Sequence, residues 1–230
     1  MWKWSLVAAG CVVSMSAWAG SELTETETRW LRAGWPVVSY AKEQRLPLDI
    51  VVQPVPKPGA APLAMGFIDG RCKLVFSMRG NPEAEATLAG IAPDLLPAVV
   101  EAMTAHELGH CWCYVHGAWH TLPKGFVDVA HDPDDTREVA VMRRDMRETR
   151  REEGFADLVG LAWTLSRHPQ HYERVHAWFE KVRDDQPVPG SHHDTRAWIR
   201  LVKNRAAFEP AANPFEQVWG LWRAGLLSDD

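Results

Sequence analysis

His106, Glu107 and His110 put two histidines four residues apart, with a glutamate directly after the first. On an α-helix, positions i and i+4 share a face one turn apart, so both imidazoles can point at one ion. Glu107 beside them can hold a water on that ion and take its proton. Zinc suits this arrangement, because it accepts imidazole ligands and lowers the pKa of its water to about 7. A competing reading is a helix whose histidines are merely solvated or hydrogen-bonded. The flanks count against it: Pro93 to Val100 opens an apolar helix, which sets the ionisable pair on a surface that should be buried.

A catalytic zinc takes three protein ligands and keeps one position open, so a third donor is required. His116 completes the histidine spacing of the metzincins. However, Cys113 stands where that spacing has a glycine to turn the chain sharply, and no convincing Met-turn follows. If the helix runs on to Gly117, His116 lies far round the axis from His106. The better candidate is Glu153, in the run Glu153-Gly154-Phe155-Ala156-Asp157.

With Glu153 and Asp157 the chain resembles the gluzincins, whose second motif is Glu-x-x-x-Asp on a helix after the zinc helix. In motif it is most similar to the catalytic domain of the CAAX-prenyl protease type. The resemblance implies that Glu153 is the third zinc ligand and that Asp157 accepts a hydrogen bond from the outer nitrogen of a ligand histidine. The spacing agrees, since i and i+4 share a face and two carboxylates on an apolar helix need a partner for their charge. Glu152 is expected to be solvated. A fainter likeness, Ser191-His192-His193-Asp194-Thr195 with Ile199-Arg200, places His192 on a histidine thought to steady the transition state. His193 takes the place of the family's proline there, and His193 or Arg196 are alternatives for the role. The likeness spans Ala98 to Arg200 by motif, and the family's transmembrane helices are absent.

The elements needed to hold these residues are legible in outline. Thr24 and Glu27 form a capping box for a helix through Gln44, with Trp30, Leu31 and Val38 towards the core and Pro36 kinking it. Leu48 to Gln53 reads as a strand stopped by Pro54, and Pro54 to Pro62 as a loop. Cys72 to Met78 alternates polar and apolar residues, and Met65 to Ile68 is expected to pair with it across Asp69-Gly70. In zincins a strand of this kind borders the cleft and pairs with the substrate backbone. The zinc helix is expected from Asp94 to His116 with Gly117 as C-cap. A loop over the site is expected from Ala118 to Asp135, and a long helix from Thr136 to Ser166. That helix is charged in its first half and apolar after Gly154. Further helices are expected over Gln170–Arg183, Thr195–Arg205 and Pro214–Leu226. The tryptophans on these helices are read as packing rather than as a ligand box.

At the N-terminus, Lys3, the apolar run Leu6 to Val13 and Ala17-Trp18-Ala19 make an export signal, with cleavage before Gly20. Ala8-Ala9-Gly10-Cys11 faintly resembles a lipobox. Too little apolar chain precedes Cys11, which favours a soluble periplasmic or secreted protein. Residues 20–230 fit one domain. Removing Lys3 from 25 basic residues leaves 24 against 30 acidic ones, a net −6 that suggests no nucleic-acid partner. No later run is apolar enough for a membrane span. Cys72, Cys111 and Cys113 then allow one disulfide to Cys72 or three free thiols.

The expectation is a single α+β domain, zincin-like by the resemblance, with a small N-terminal sheet packed on a mainly helical body. Its activity would be that of an exported zinc metallopeptidase acting on protein or peptide. His106, His110 and Glu153 would bind Zn2+, Glu107 would be the base, and His192 would assist. The alternatives are a zinc-binding but non-catalytic interaction domain, a structural domain with accidental motifs, and a metzincin-type site using His116.

Overall fold

The computed structural model describes residues 22–117, 136–184 and 191–227. The export signal and the loop Ala118 to Asp135 lie outside the described residues. Among the described residues the architecture is α+β: seven helices accompany one three-stranded sheet of order β1-β3-β2. The strands are β1 (Leu48–Val52), β2 (Leu63–Ile68) and β3 (Arg71–Phe76).

β3 is central because it alternates, with Cys72, Leu74 and Phe76 buried. β2 joins it as the expected antiparallel hairpin, with Met65 opposite Leu74. Asp69 and Gly70 both have positive φ (52° and 72°), as a tight turn between twisted strands requires. β1 lies parallel to β3 on its other side, which leaves β2 as an edge.

α1 (Glu25–Glu43) starts at the capping box of Thr24 and Glu27 and contains Pro36. After the sheet comes the short α2 (Pro82–Ala86), which its five residues kept from view in the sequence. α3 (Leu96–His116) is the central helix. It touches α1, β2, β3, α4 (Arg137–Arg167) and α5 (Tyr172–Asp184). Such all-round burial explains its lack of a polar stripe. Gly117 (φ 63°) caps it in the left-handed conformation.

α4 is polar until Arg151 and then buried from Glu153 to Thr164. α6 (Arg196–Leu201) is shorter than expected and is followed by a 3-10 turn at Arg205–Ala207. α7 (Pro214–Gly225) closes the body.

Two devices bring the layers together. Cys72 of β3 is disulfide-bonded to Cys111 of α3, while Cys113 is a buried free thiol. Glycines allow the helices to touch: a Cβ on Gly109 would lie 3.0 Å from the Ala156 Cα, and one on Gly160 2.8 Å from the Ala102 carbonyl oxygen. Several of the described tryptophans pack, whereas Trp35 is exposed and Trp178 lines a cavity. Trp30, Trp198 and Trp222 are buried, and the Trp198 ring fills the space beside Gly154 and Gly225. Among the described residues no helix is long and apolar enough to cross a membrane.

Candidate metal centre

The α3–α4 contact through Gly109 puts one turn of each helix face to face. His106 and His110 meet with their Nε2 atoms 3.2 Å apart. From α4, Glu153 brings Oε2 to 3.5 Å from His106 Nε2 and Oε1 to 3.5 Å from His110 Nε2. These three buried residues form a group whose ligand atoms all lie within 4.8 Å of one another.

The donor set fits zinc on two grounds. Bonds of 2.0–2.2 Å in a tetrahedron place neighbouring donors about 3.3–3.5 Å apart, close to the spacings found. The charges also leave a deficit. Among the described residues, Glu153 and Asp157 share the one guanidinium of Arg183, with Glu107 beside them, and a divalent cation would add countercharge.

Asp157, fully buried one turn beyond Glu153, holds the site from behind. Its Oδ1 is 2.8 Å from His106 Nδ1, a hydrogen-bonding distance, although the ring N–H is not aimed straight at the oxygen. Arg183 of α5 donates to both Asp157 oxygens, at 2.8 and 2.6 Å, and to Glu153 Oε2 at 3.2 Å. The Thr195 hydroxyl donates to Asp157 Oδ2 at 2.5 Å. Asp157 therefore fixes His106 with its far nitrogen turned to the cleft, as an outer partner of a ligand histidine must.

The electrostatics follow from this packing. Burial disfavours the Asp157 carboxylate, but Arg183 and His106 outweigh it and hold it well below the usual range. Glu153 is likewise lowered against burial, by His106, His110 and Arg183. Burial disfavours a charged His106, yet Asp157 and Glu153 raise it. His110, for which burial prevails, is pushed down to about 4 and so stays neutral, as a ligand should.

Glu107 keeps part of its surface open to the cleft while protein atoms crowd it. Burial pushes it up to about 7, and the Met65 backbone N–H donates to it. It lines the same cavity as His106, His110 and Glu153.

A cavity of about 1000 Å³ opens over these residues. Its lining includes His106, Glu107, His110 and Glu153, and Leu63, Ala64 and Met65 of β2 form one wall. β2 rather than the central β3 is thus the strand at the cleft.

Two expectations need correction. His192 is not in the lining of the cleft. The neighbouring His193 is, with its half-exposed ring 3.7 Å from Glu153 Oε1, because the turn before α6 aims the second histidine inward. Glu152 is not simply solvated: it lines the cleft and accepts a hydrogen bond from the Tyr114 hydroxyl at 3.2 Å. His116, the weaker candidate, stands apart from the ligand group as expected. Its ring stacks on Trp112 and its Nδ1 is 2.7 Å from the Trp112 carbonyl oxygen, one turn back on the same helix. Sequence reasoning named Thr195 only within the fainter likeness, without a role, and missed the part played by Arg183 altogether. The one available signal was an arginine inside an otherwise amphipathic helix, which is weak.

Comparison with protein-family models, with curated proteins and with solved structures returned no match.

Proposed function

We propose that this chain is an exported zinc metallopeptidase of gluzincin type, hydrolysing peptide bonds with Glu107 as the general base. The observation that carries the reading is the convergence of His106, His110 and Glu153, backed by Asp157 and faced by Glu107 within one cleft. Held by those three residues, zinc would polarise the scissile carbonyl and lower the pKa of a water.

The chain's own groups do the rest. The Glu107 carboxylate receives a proton from the attacking water and carries it to the leaving amine nitrogen. The Met65 N–H orients that carboxylate. Arg183 and Thr195 hold Asp157, and Asp157 keeps the His106 ring in place. His193 is the side chain suited to donate a hydrogen bond to the developing oxyanion.

The disulfide Cys72–Cys111 supports an oxidising compartment, as export implies. Hydrolysis of a fluorogenic peptide library by the zinc-loaded chain tests the reading, with Glu107→Gln as control. Activity should fall by about 10²–10⁴ while zinc stays bound. Equal activity in that variant would refute the assignment.

A further inference from the structure

The cleft is not the same at its two ends, and its axis can be read from α3. Met103, His106, Glu107, His110 and Tyr114 all line it and follow one another along the helix. The stretch from Met103 to Tyr114 spans about 16 Å at ~1.5 Å per residue. β2 runs in the same direction. Leu63 belongs to the apolar cluster at the Met103 end, and the Met65 N–H meets Glu107 midway. Phe67 stacks on Tyr114 at the far end, with centroids 5.3 Å apart and rings 10° from parallel.

The Met103 end is mainly apolar, with Leu63, Ile91, Leu95 and Trp178 in the lining, and Arg174 at that end is paired with Asp94. At the Tyr114 end stands Glu152. Apart from Glu107 and Glu153 it is the one carboxylate among the described lining residues, and the lining's cations, Arg174, Lys181 and Arg183, all come from α5. The stacked Phe67 fixes Tyr114, whose hydroxyl donates to Glu152. Glu152 is thereby held at the cleft and not swung out to solvent.

The backbone of β2 sets the direction of an added strand. The Ser77 N–H bonds the Pro62 carbonyl, so Pro62 faces β3. By the two-residue alternation of an antiparallel ladder, Leu63, Met65 and Phe67 then turn their backbone groups outward, and with the Met65 N–H given to Glu107 an added strand would pair through Leu63, Phe67 and the Met65 carbonyl. An extended peptide added antiparallel, the more stable pairing, would run opposite to β2. Its N-terminal part would lie by Phe67 and Tyr114, and its C-terminal part in the apolar end.

Resting on the peptidase reading above, we propose that Glu152 is a specificity-determining residue. It selects peptides that present a cationic group on the N-terminal side of the cut, with an apolar side chain on the C-terminal side. The cationic group is a lysine or arginine side chain, or the free α-ammonium of a short peptide.

The test uses the zinc-loaded mature chain and blocked hexapeptides with one lysine N-terminal of one leucine, against norleucine and glutamate counterparts. The wild type should favour lysine over norleucine in kcat/KM by about tenfold, as one partly desolvated ion pair provides. Glu152→Gln should bring that ratio to about one, and Glu152→Lys should favour the glutamate peptide. Moving the lysine to the C-terminal side of the leucine should abolish the preference. Preference for a short unblocked norleucine peptide over its acetylated form, lost in Glu152→Gln, would identify the α-ammonium as the source.

Equal rates on lysine and norleucine peptides with no α-ammonium preference, or a preference unchanged in Glu152→Gln, would overturn the proposal. Affinities of the same peptides for the zinc-loaded Glu107→Gln chain separate the two levels. Charge-dependent binding without any wild-type cleavage would overturn the peptidase reading and leave Glu152 only as the residue that selects cationic peptides for binding. Neither cleavage nor charge-dependent binding would overturn both.

Discussion

Replacing Arg183 by methionine should expose how much of the site's integrity rests on one side chain outside both motifs. The guanidinium is buried and makes three charge-assisted hydrogen bonds, two to Asp157 and one to Glu153. Without it, two buried carboxylates lose their fixed countercharge. Removing one partner of a buried ion pair costs about 3–5 kcal/mol. For a domain of this size that is a fall in Tm of roughly 10 °C.

Arg183→Lys keeps the charge but cannot fork across both carboxylates, and should lose about half as much. The assay is denaturant unfolding in chelator, so that metal affinity does not enter. A double-mutant cycle with Asp157→Asn should return a coupling of about 2–3 kcal/mol. The pH dependence gives a second check. In the wild type Asp157 and Glu153 lie below their ordinary values, so their contribution is present above about pH 4 and is lost as pH falls through the folded values. In Arg183→Met burial should prevail and raise them above the unfolded values. The penalty would then be full at neutral pH and relieved on acidification, so the difference from wild type should shrink between pH 8 and 5. A cost below about 1 kcal/mol, or a penalty that grows on acidification, would refute the reasoning.

Other perturbations probe separate parts of the account. Reducing Cys72–Cys111, which closes a separation of 39 residues, should cost about 4 kcal/mol by chain entropy, read as a lower denaturation midpoint in reductant. Gly109→Ala would drive a methyl against the Ala156 backbone, so stability should fall by about 1–3 kcal/mol and zinc affinity should weaken as α4 moves off. Calorimetric zinc titration beside unfolding measures both effects. Cys113 is buried with its thiol pushed up by burial, so it should resist alkylation in the folded chain and react once unfolded.

The parts legible in the sequence are those with a local rule. The four-residue spacing His106–His110 needed only helix geometry, and the hairpin at Asp69-Gly70 needed only turn chemistry, whereas Glu153 and Asp157 were singled out by the resemblance and helix geometry merely agreed. Cys111 and Cys113 are two positions apart on a helix, so only one can face β3, but periodicity alone left both open for Cys72. Arg183 and Thr195 reach Asp157 from 26 and 38 residues away, and no spacing rule reports such contacts. His192 and His193 lie in a turn, where no period decides which faces inward. Glu152 was read as solvated because a single ligand face was assumed, whereas the cleft is wide enough to take in its neighbour.

Metal content of the purified mature chain, with Glu153→Ala and His116→Ala alongside, tests the central claim most directly. About one zinc per chain is expected in the wild type and in His116→Ala, since His116 is engaged with Trp112. Glu153→Ala should lose it. Zinc retained at wild-type affinity in Glu153→Ala, or no zinc in the wild type after reconstitution, would contradict the account.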